Sequence, residues 1–430
     1  MKIVVINAYV RENAGDAALL AVCLRQVGEA FPDGRVQIAG MEDAAVRPDF
    51  EGVPNLGSIC RYVADGGVPK LRRILRRLVV GSLAVLALLM PRPVARLLLA
   101  LLPAEVRREA DAVAGADLVV SMGGGYLYAR PGLDGYQNVF FVLLPALIAQ
   151  KAGVPVVFAP QSFGPFPARP QRWLVGRVLR RAVLVLARED VSVGILADCG
   201  VTEPQVRRAV DSGFAFDPPV STDWRARMGV DPEQPLVGIT ARRWLAPAAQ
   251  EGYERALAAT VDSLHADGVR VVLIPQVSTD YLDDDDRIVE RRIAGYCARQ
   301  PLLIEDRVDY RDLKGMYREC SLLIGTRFHS VIFSLTSGVP CVAIEYEHKT
   351  RGIMADLGLG EWVLPIAEVT HARLWALVSA LRADPEQYRE AMHQRLPGYI
   401  ARAERFPELL RAATTGAGDR PATGRDGVLV

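Results

Sequence analysis

The sequence has no CxxC pair, no excess of either charge, few aromatic residues, only five histidines and no apolar run long enough to cross a bilayer. Each absence removes a class of protein. Six cysteines (Cys23, Cys60, Cys199, Cys297, Cys320 and Cys341) lie far apart, which argues against a zinc site and a disulfide scaffold and suits a reducing compartment. Lys and Arg number 51 against 50 Asp and Glu, so no bulk field draws the chain to nucleic acid. The opening MKIVVINAYV has neither the long apolar core nor the small-residue cleavage site of a signal peptide, and a cytoplasmic protein is expected. What remains is 430 residues, half of them hydrophobic and 23% charged, enough for two or three domains with large cores.

Short apolar runs alternate with helical stretches along the chain, the pattern of parallel sheets covered by helices on both faces. Strands are predicted at 2–6, 36–39, 118–121, 156–159, 184–187 and 205–210, with helices at 15–30, 139–152, 173–181 and 190–199 between them. Residues 217–231, carrying Pro218 and Pro219 with Pro232 just beyond, read as a linker. A second series follows, with strands at 236–240, 270–275, 302–305, 322–325 and 341–345 and helices at 253–267, 285–298, 310–319 and 329–337. Helices at 373–381, 385–393 and 400–413 close the chain, and the Gly- and Pro-rich residues 414–430 are expected to be disordered. The predicted architecture is α/β, with two doubly wound Rossmann-like domains facing a cleft, at 1–217 and 218–413. That is the GT-B arrangement of glycosyltransferases.

One segment departs from this plan. Residues 70–109 form a hydrophobic, basic helical insert in the first domain. Leu78–Met90 runs thirteen residues without a charge, about 20 Å of helix against a hydrocarbon core of about 30 Å, so it cannot span a bilayer. Arg61, Lys70, Arg72, Arg73, Arg76 and Arg77 precede it, and Pro91 and Pro93 break it. Two readings stay open: peripheral contact with a membrane surface, or a helical pair buried in the domain or at a dimer contact.

Ligands of open α/β sheets bind outside the carboxyl ends of the strands. The segments there hold Asn7 with Gly15 and Asp16, the Gly123–Gly125 triplet, Gln161 with Gly164 and Pro165, and Arg188 with Glu189 and Asp190. In the second series they hold Arg242 and Arg243, then Thr326–Ser330, then Tyr346 to Lys349. Each has a plain structural alternative: tight turns for the glycines, helix caps for Asp16 and Asp190, solvated side chains for the arginines. TRFHS is the sharpest signal. A helix starts near His329, its free N–H groups favour an anion, Arg327 offers a planar fork for phosphate or carboxylate, and His329 can move a proton near neutral pH. Lys349 can converge on the same anion. No metal cluster is expected, and the Asp283–Asp286 run reads as a solvated helix start.

With these residues in view, the chain resembles the polysaccharide pyruvyl transferase family. The resemblance rests on N-x7-GD at 7–16, GGG at 123–125, Q-x-x-GP at 161–165, RED-x-S at 188–192, D-x-x-F at 211–214, R-x-H at 327–329, then GVP and Y-x-x-K at 346–349. The 70–109 insert is not a general feature of that family. The resemblance implies transfer of pyruvate from phosphoenolpyruvate to two hydroxyls of one sugar, forming a cyclic ketal and releasing phosphate, with no cofactor. It places Arg327 and His329 at the donor. The donor's phosphate and carboxylate call for cations, so Arg327, Lys349, Arg188 and Arg242, with Ser330, are candidate donor contacts. His329 is the candidate acid and Asp16 the candidate base or sugar-orienting group. Asn7, Gly124, Gly125 and Gln161 are candidate acceptor or loop contacts. The acceptor is expected in a polysaccharide or on a lipid-linked oligosaccharide, with contact at the inner membrane surface. A GT-B glycosyltransferase with a nucleotide-sugar donor is the alternative, and a glycan-binding or scaffold protein a further one.

Overall fold

The computed structural model describes residues 1–9, 12–65, 67–129, 132–220, 222–279 and 284–415. The expected disordered tail lies outside them but for Thr414 and Thr415, which close the last helix. The chain divides into two compact units: one of residues 1–9, 19–212 and 402–415, the other of residues 12–18 and 213–401.

In the first unit β1 (Lys2–Ala8) and β2 (Arg35–Gly40) open a parallel sheet, and a small hairpin of β3 (Asp49–Phe50) and β4 (Val53–Pro54) follows; α1 (Ala14–Ala30), between β1 and β2 in the chain, has residues 14–18 in the second unit and the rest in the first. Helices α2 (Ile59–Ala64), α3 (Lys70–Leu89), α4 (Arg92–Ala100) and α5 (Ala104–Ala114) come next, three of them forming the predicted insert. The sheet resumes with β5 (Leu118–Ser121), β6 (Gly124–Leu127), α6 (Leu133–Ala152), β7 (Val156–Phe163), α7 (Arg169–Leu179), β8 (Leu184–Ala187), α8 (Asp190–Asp198) and β9 (Val206–Arg208). The strand order is β2-β1-β5-β7-β8-β9, with β6 paired to β7. The order reverses between β1 and β5, so the crevice at their carboxyl ends is the switch point of this sheet. β5 and β8 are buried on both faces, as fully apolar parallel strands must be.

The second unit contains α9 (Trp224–Arg227), β10 (Leu236–Thr240), α10 (Pro247–Ala266), β11 (Arg270–Leu273), α11 (Asp286–Tyr296), β12 (Leu302–Leu303) and α12 (Tyr310–Arg318). It continues with β13 (Leu322–Gly325), α13 (Phe328–Thr336), β14 (Cys341–Glu345), α14 (His348–Asp356), β15 (Val363–Pro365), α15 (His371–Ala383) and α16 (Glu386–Ala403); α17 (Phe406–Thr415) ends the described chain. All pairings are parallel in the order β12-β11-β10-β13-β14-β15, the Rossmann order, with its switch point between β10 and β13.

Four sequence expectations are corrected. The segment 217–231 contains the short helix α9 with Trp224 buried, capped by Asp223 on the Ala226 N–H, and is not a bare linker. The Gly triplet is not only a turn, because Gly124 and Gly125 begin β6. The 385–413 region is one helix running through Pro397 and a second from Phe406, where helices at 385–393 and 400–413, with a break between them, were expected. Lys349, expected in a loop, lies in the first turn of α14, an element without a clear apolar period.

Candidate active site

Two clusters form, each at the switch point of its own sheet. In the second unit, β10 ends in Thr240 and its neighbour β13 in Gly325. The Thr240 hydroxyl accepts the Thr326 N–H at 3.0 Å and contacts Ser330 Oγ at 2.8 Å, while Ser330 Oγ donates to the Arg327 carbonyl at 2.6 Å. Since Ser330 gives its proton to that carbonyl, Thr240 gives its own to Ser330. The turn between β13 and α13 is thereby locked by side chains, with Tyr253 holding the Thr326 hydroxyl at 2.8 Å.

Arg327 is buried and saturated. Its Nε meets both Asp286 oxygens at 3.1 Å, and its Nη2 reaches Asp286 at 2.5 Å and Asp284 at 2.9 Å. Burial disfavours its charge, but the two carboxylates overrule that and hold the guanidinium charged, above its ordinary range. Asp286 also accepts the N–H groups of Gln276 and Val277 at 3.1 and 3.0 Å. Here the expectation of a solvated acidic run fails for its last two members: Asp286 is 1% exposed and Asp285, the α11 N-cap, is 8% exposed. Asp283 lies outside the described residues.

The segment leading into α1 docks beside this clamp. Asn13 bridges to Val277, the Ala14 N–H donates to the Gln276 carbonyl at 3.0 Å, and the Ser278 N–H donates to the Glu12 carbonyl at 2.9 Å. This sets Gly15 against His329. A methyl group at position 15 would sit 2.1 Å from His329 Nδ1, so only glycine permits the approach. Asp16, one residue on, accepts from Asn13 Nδ2 at 2.8 Å. The His329 ring stacks on Phe333, its centroid at 6.0 Å.

Two further cations reach the same corner. Arg242 lies 4.3 Å above the Tyr346 ring and 3.5 Å from Asp284, which it shares with Arg327. Lys349 pairs with Glu347 at 2.7 Å and stands 5.1 Å from the Phe328 ring centroid. Arg242 Nε and the hydroxyl of Thr350, in the first turn of α14, are buried without a hydrogen-bond partner among the described residues.

In the first unit the switch point carries Asn7, which has a positive φ of 59° and donates to Ser121 Oγ at 3.2 Å and to the Val142 carbonyl at 3.3 Å. Tyr126 closes the group through Ser121 at 2.8 Å. Gly123 is held against the Pro160 carbonyl, where a Cβ would stand at 2.5 Å, and Gly124 faces Gln161 across β6 and β7. Gln161 is fully buried, yet neither amide atom has a partner among the described residues. Arg188 donates its own N–H to the Gln161 carbonyl at 3.2 Å, and its guanidinium engages Asp211 and Ser162.

The sequence model described as "Polysaccharide pyruvyl transferase" matches residues 13–348, most of the chain and both clusters apart from Asn7, Lys349 and Thr350. The chain belongs to the polysaccharide pyruvyl transferase family. A curated relative, the amylovoran biosynthesis protein AmsJ of Erwinia amylovora, is 27% identical over 301 residues, covering 66% of this chain and 70% of its own. A solved structure described as a UDP-N-acetylglucosamine 2-epimerase of Listeria monocytogenes superposes with a TM-score of 0.58 at 16% identity, covering 100% and 99% of the two chains. Trehalose 6-phosphate synthase of Burkholderia multivorans gives 0.55 at 17%, covering 99% of each. At such identities the likeness establishes the GT-B-like fold of this family member and nothing about its ligand.

The structure thus brings His329, Asp16, Arg327, Ser330, Lys349 and Arg242 into one unit. It puts Asn7, Gly124, Gly125, Gln161 and Arg188 in the other, so Arg188 stands apart from the cations with which the sequence grouped it. Residues that the sequence reading passed over are Thr240, Tyr253, Asp284 and Asp286 in the second unit and Ser121 and Tyr126 in the first. Asp211 was visible in D-x-x-F, but its tie to Arg188 was not.

Proposed function

We propose that this family member transfers pyruvate from phosphoenolpyruvate to two hydroxyls of one sugar, in a polysaccharide or a lipid-linked oligosaccharide, in the cytoplasm. The observation that carries the donor assignment is a pair of buried donors without a partner among the described residues, Arg242 Nε and the Thr350 hydroxyl, together with the Glu347-paired Lys349 ammonium, which stands with Arg242 at the Tyr346 ring. They suit the donor's phosphate and carboxylate, since charge-assisted hydrogen bonds to such oxyanions are strong in a half-buried corner. Arg327, with its fork filled by Asp284 and Asp286, acts here by shaping the loop and adding field.

In the reaction the methylene carbon of the donor gains a proton, which leaves an oxocarbenium-like centre at the adjoining carbon. One sugar hydroxyl attacks that carbon, the second displaces phosphate, and the ketal closes. Of the two hydroxyl protons released, one balances the proton taken up by the methyl group and the other departs with phosphate. His329 is assigned the proton delivery, and Asp16, beside Gly15 at that ring, the acceptance of a hydroxyl proton. The first unit is assigned the acceptor: Gln161, with Asn7 and the Gly124–Gly125 edge, offers amide and backbone groups suited to sugar hydroxyls.

Thermal unfolding tests this reading. Phosphoenolpyruvate at about 100 times its Kd is expected to add about 2.7 kcal/mol, raising the Tm of the wild type. The rise should vanish in Lys349→Met and Arg242→Met, which remove the charge while keeping apolar bulk at side chains only 19% and 11% exposed. Stabilisation by UDP with none by phosphoenolpyruvate would overturn the donor assignment and move the protein to the nucleotide-sugar enzymes.

A further inference from the structure

The insert of the first unit has two faces with opposite destinations. On α3, Val80, Ala84 and Ala87 recur at helical spacing and are buried, Val80 and Ala84 within the core that holds β5 and α6. The opposite stripe carries Leu71, Leu75, Leu78, Leu86 and Leu89, all exposed. Past the turn at Pro91, α4 and the residue after it continue the pattern with Val94, Leu97 and Leu101, the last two 70% and 67% exposed. Of the twenty-one large hydrophobic side chains exposed among the described residues, twelve lie between Leu71 and Leu101. A water-facing helix has no reason to carry such a stripe, since each leucine left in water forgoes its burial energy.

The charges around the stripe all have one sign. Between Asp65 and Glu105 there is no acidic residue, while Lys70, Arg72, Arg73, Arg76, Arg77, Arg92 and Arg96 fall within it. These cations divide by task. Arg76 and Arg77 face inward: Arg76 bonds the Tyr62 carbonyl and Asp65, and Arg77 bonds the Val63 carbonyl and Gln137. Lys70, Arg72, Arg92 and Arg96 stay exposed at the edge of the apolar stripe. Two hollows lie beside them. One of about 190 Å³ has Leu75 and Val79 in its wall with Arg72 and Arg76 at its side, and one of about 120 Å³ sets Leu88 and Leu99 below Arg92, Arg96 and Lys151. Cation above, hydrocarbon below is the chemistry of a phospholipid's phosphate and the first carbons of its acyl chains. No helix among the described residues is long and apolar enough to cross a membrane, so such contact is interfacial.

We infer that the α3–α4 hairpin is a docking surface for an anionic phospholipid bilayer, its leucine stripe entering the headgroup boundary and Lys70, Arg72, Arg92 and Arg96 meeting lipid phosphates. The inference stands on the exposed face and its charge, independently of the reaction assigned above.

Flotation of the full chain with extruded phosphatidylcholine vesicles, with and without phosphatidylglycerol, tests it. The wild type is expected to partition at least about tenfold more onto the anionic vesicles at low salt, and to come off as salt is raised. The double variant Leu75→Glu/Leu78→Glu is expected to lose about tenfold or more of this binding. Arg72→Ala/Arg96→Ala should lose about fivefold per arginine. These side chains are exposed, so the melting curves should overlay the wild type; Leu97→Glu on α4 provides a second apolar variant should the first fail to fold. Absence of wild-type binding to anionic vesicles, or equal binding by the folded variants, overturns the inference. So does a vesicle-free dimer in sedimentation velocity that Leu75→Glu/Leu78→Glu dissolves, because a second copy would then be what covers the stripe.

Discussion

At the candidate site the tightest approach belongs to a residue with no side chain. Gly15 lets the His329 ring lie where any Cβ would overlap Nδ1, so Gly15→Ala must push either the imidazole or the α1 start aside. The expected outcome is a fall in kcat of about 100-fold in the folded variant, together with a lowered Tm, since Ala14, Gly15, Ala17 and Ala18 are buried; phosphate release from phosphoenolpyruvate with acceptor reads it. Gln161 supports the opposite kind of test. Its amide is fully buried and has no partner among the described residues, so its desolvation is not offset by them. Gln161→Leu is therefore expected to melt at or above the wild-type temperature while the KM for the saccharide rises. A variant that melts much lower with KM unchanged would make Gln161 a packing residue. Neither prediction is readable from the motifs alone: GD and Q-x-x-GP mark the residues, but the overlap at Nδ1 and the missing amide partners exist only in three dimensions.

Elements carry the next level. The turn from β13 into α13 depends on the end of β10, because one hydroxyl on Thr240 receives the Thr326 N–H and orients Ser330. Thr240→Val keeps the shape and β propensity but removes the hydroxyl that takes the Thr326 N–H and contacts Ser330, leaving that N–H only its longer bond to the Thr240 carbonyl at 3.3 Å, at a cost of about 1 kcal/mol. Urea unfolding should show this loss together with a reduced response to phosphoenolpyruvate, since the R-x-H loop loosens. In the first unit, α2 has a first-turn N–H satisfied from another helix: Glu109 of α5 accepts the Ile59 N–H at 2.6 Å. Burial pushes the Glu109 carboxyl up to about 8, partly offset by that hydrogen bond. The sign follows from linkage. Between the unfolded value near 4.5 and the folded value near 8 the native state holds the extra proton, so this site's contribution to stability is full below the lower value and is lost as pH rises through the window. Glu109→Gln, still able to accept the N–H, should match wild type near pH 4 and gain on it by a few kcal/mol near pH 8 in denaturant titrations. Strand and helix identities here were largely legible, because buried parallel strands are continuous apolar runs. The short α9, the α14 start and the unbroken α16 were not, since burial of Trp224 and packing rather than periodicity hold them.

At the scale of the molecule, Arg327 is as much a structural centre of the second unit as a candidate ligand contact. Removing it leaves Asp286 buried beside Asp284 without a counter-charge, so Arg327→Ala is expected to lose about 3–5 kcal/mol of stability besides activity. Replacing all three members by apolar residues should recover much of the stability and none of the activity, which separates the two roles in one melting series. The sequence by itself determined the parallel α/β plan, the order of the motifs from Asn7 to Lys349, the family they mark and the presence of a basic, leucine-rich insert. These follow from local periodicity and from short spacings, both written along the chain. Only the tertiary structure decided that Asp284 and Asp286 fill the Arg327 fork, that Gly15 meets His329, that Arg188 belongs with Asp211 and that the leucines of α3 and α4 face outward. Strand order brings together side chains hundreds of positions apart, and burial then selects which charges must pair; neither quantity is encoded in any local window of residues.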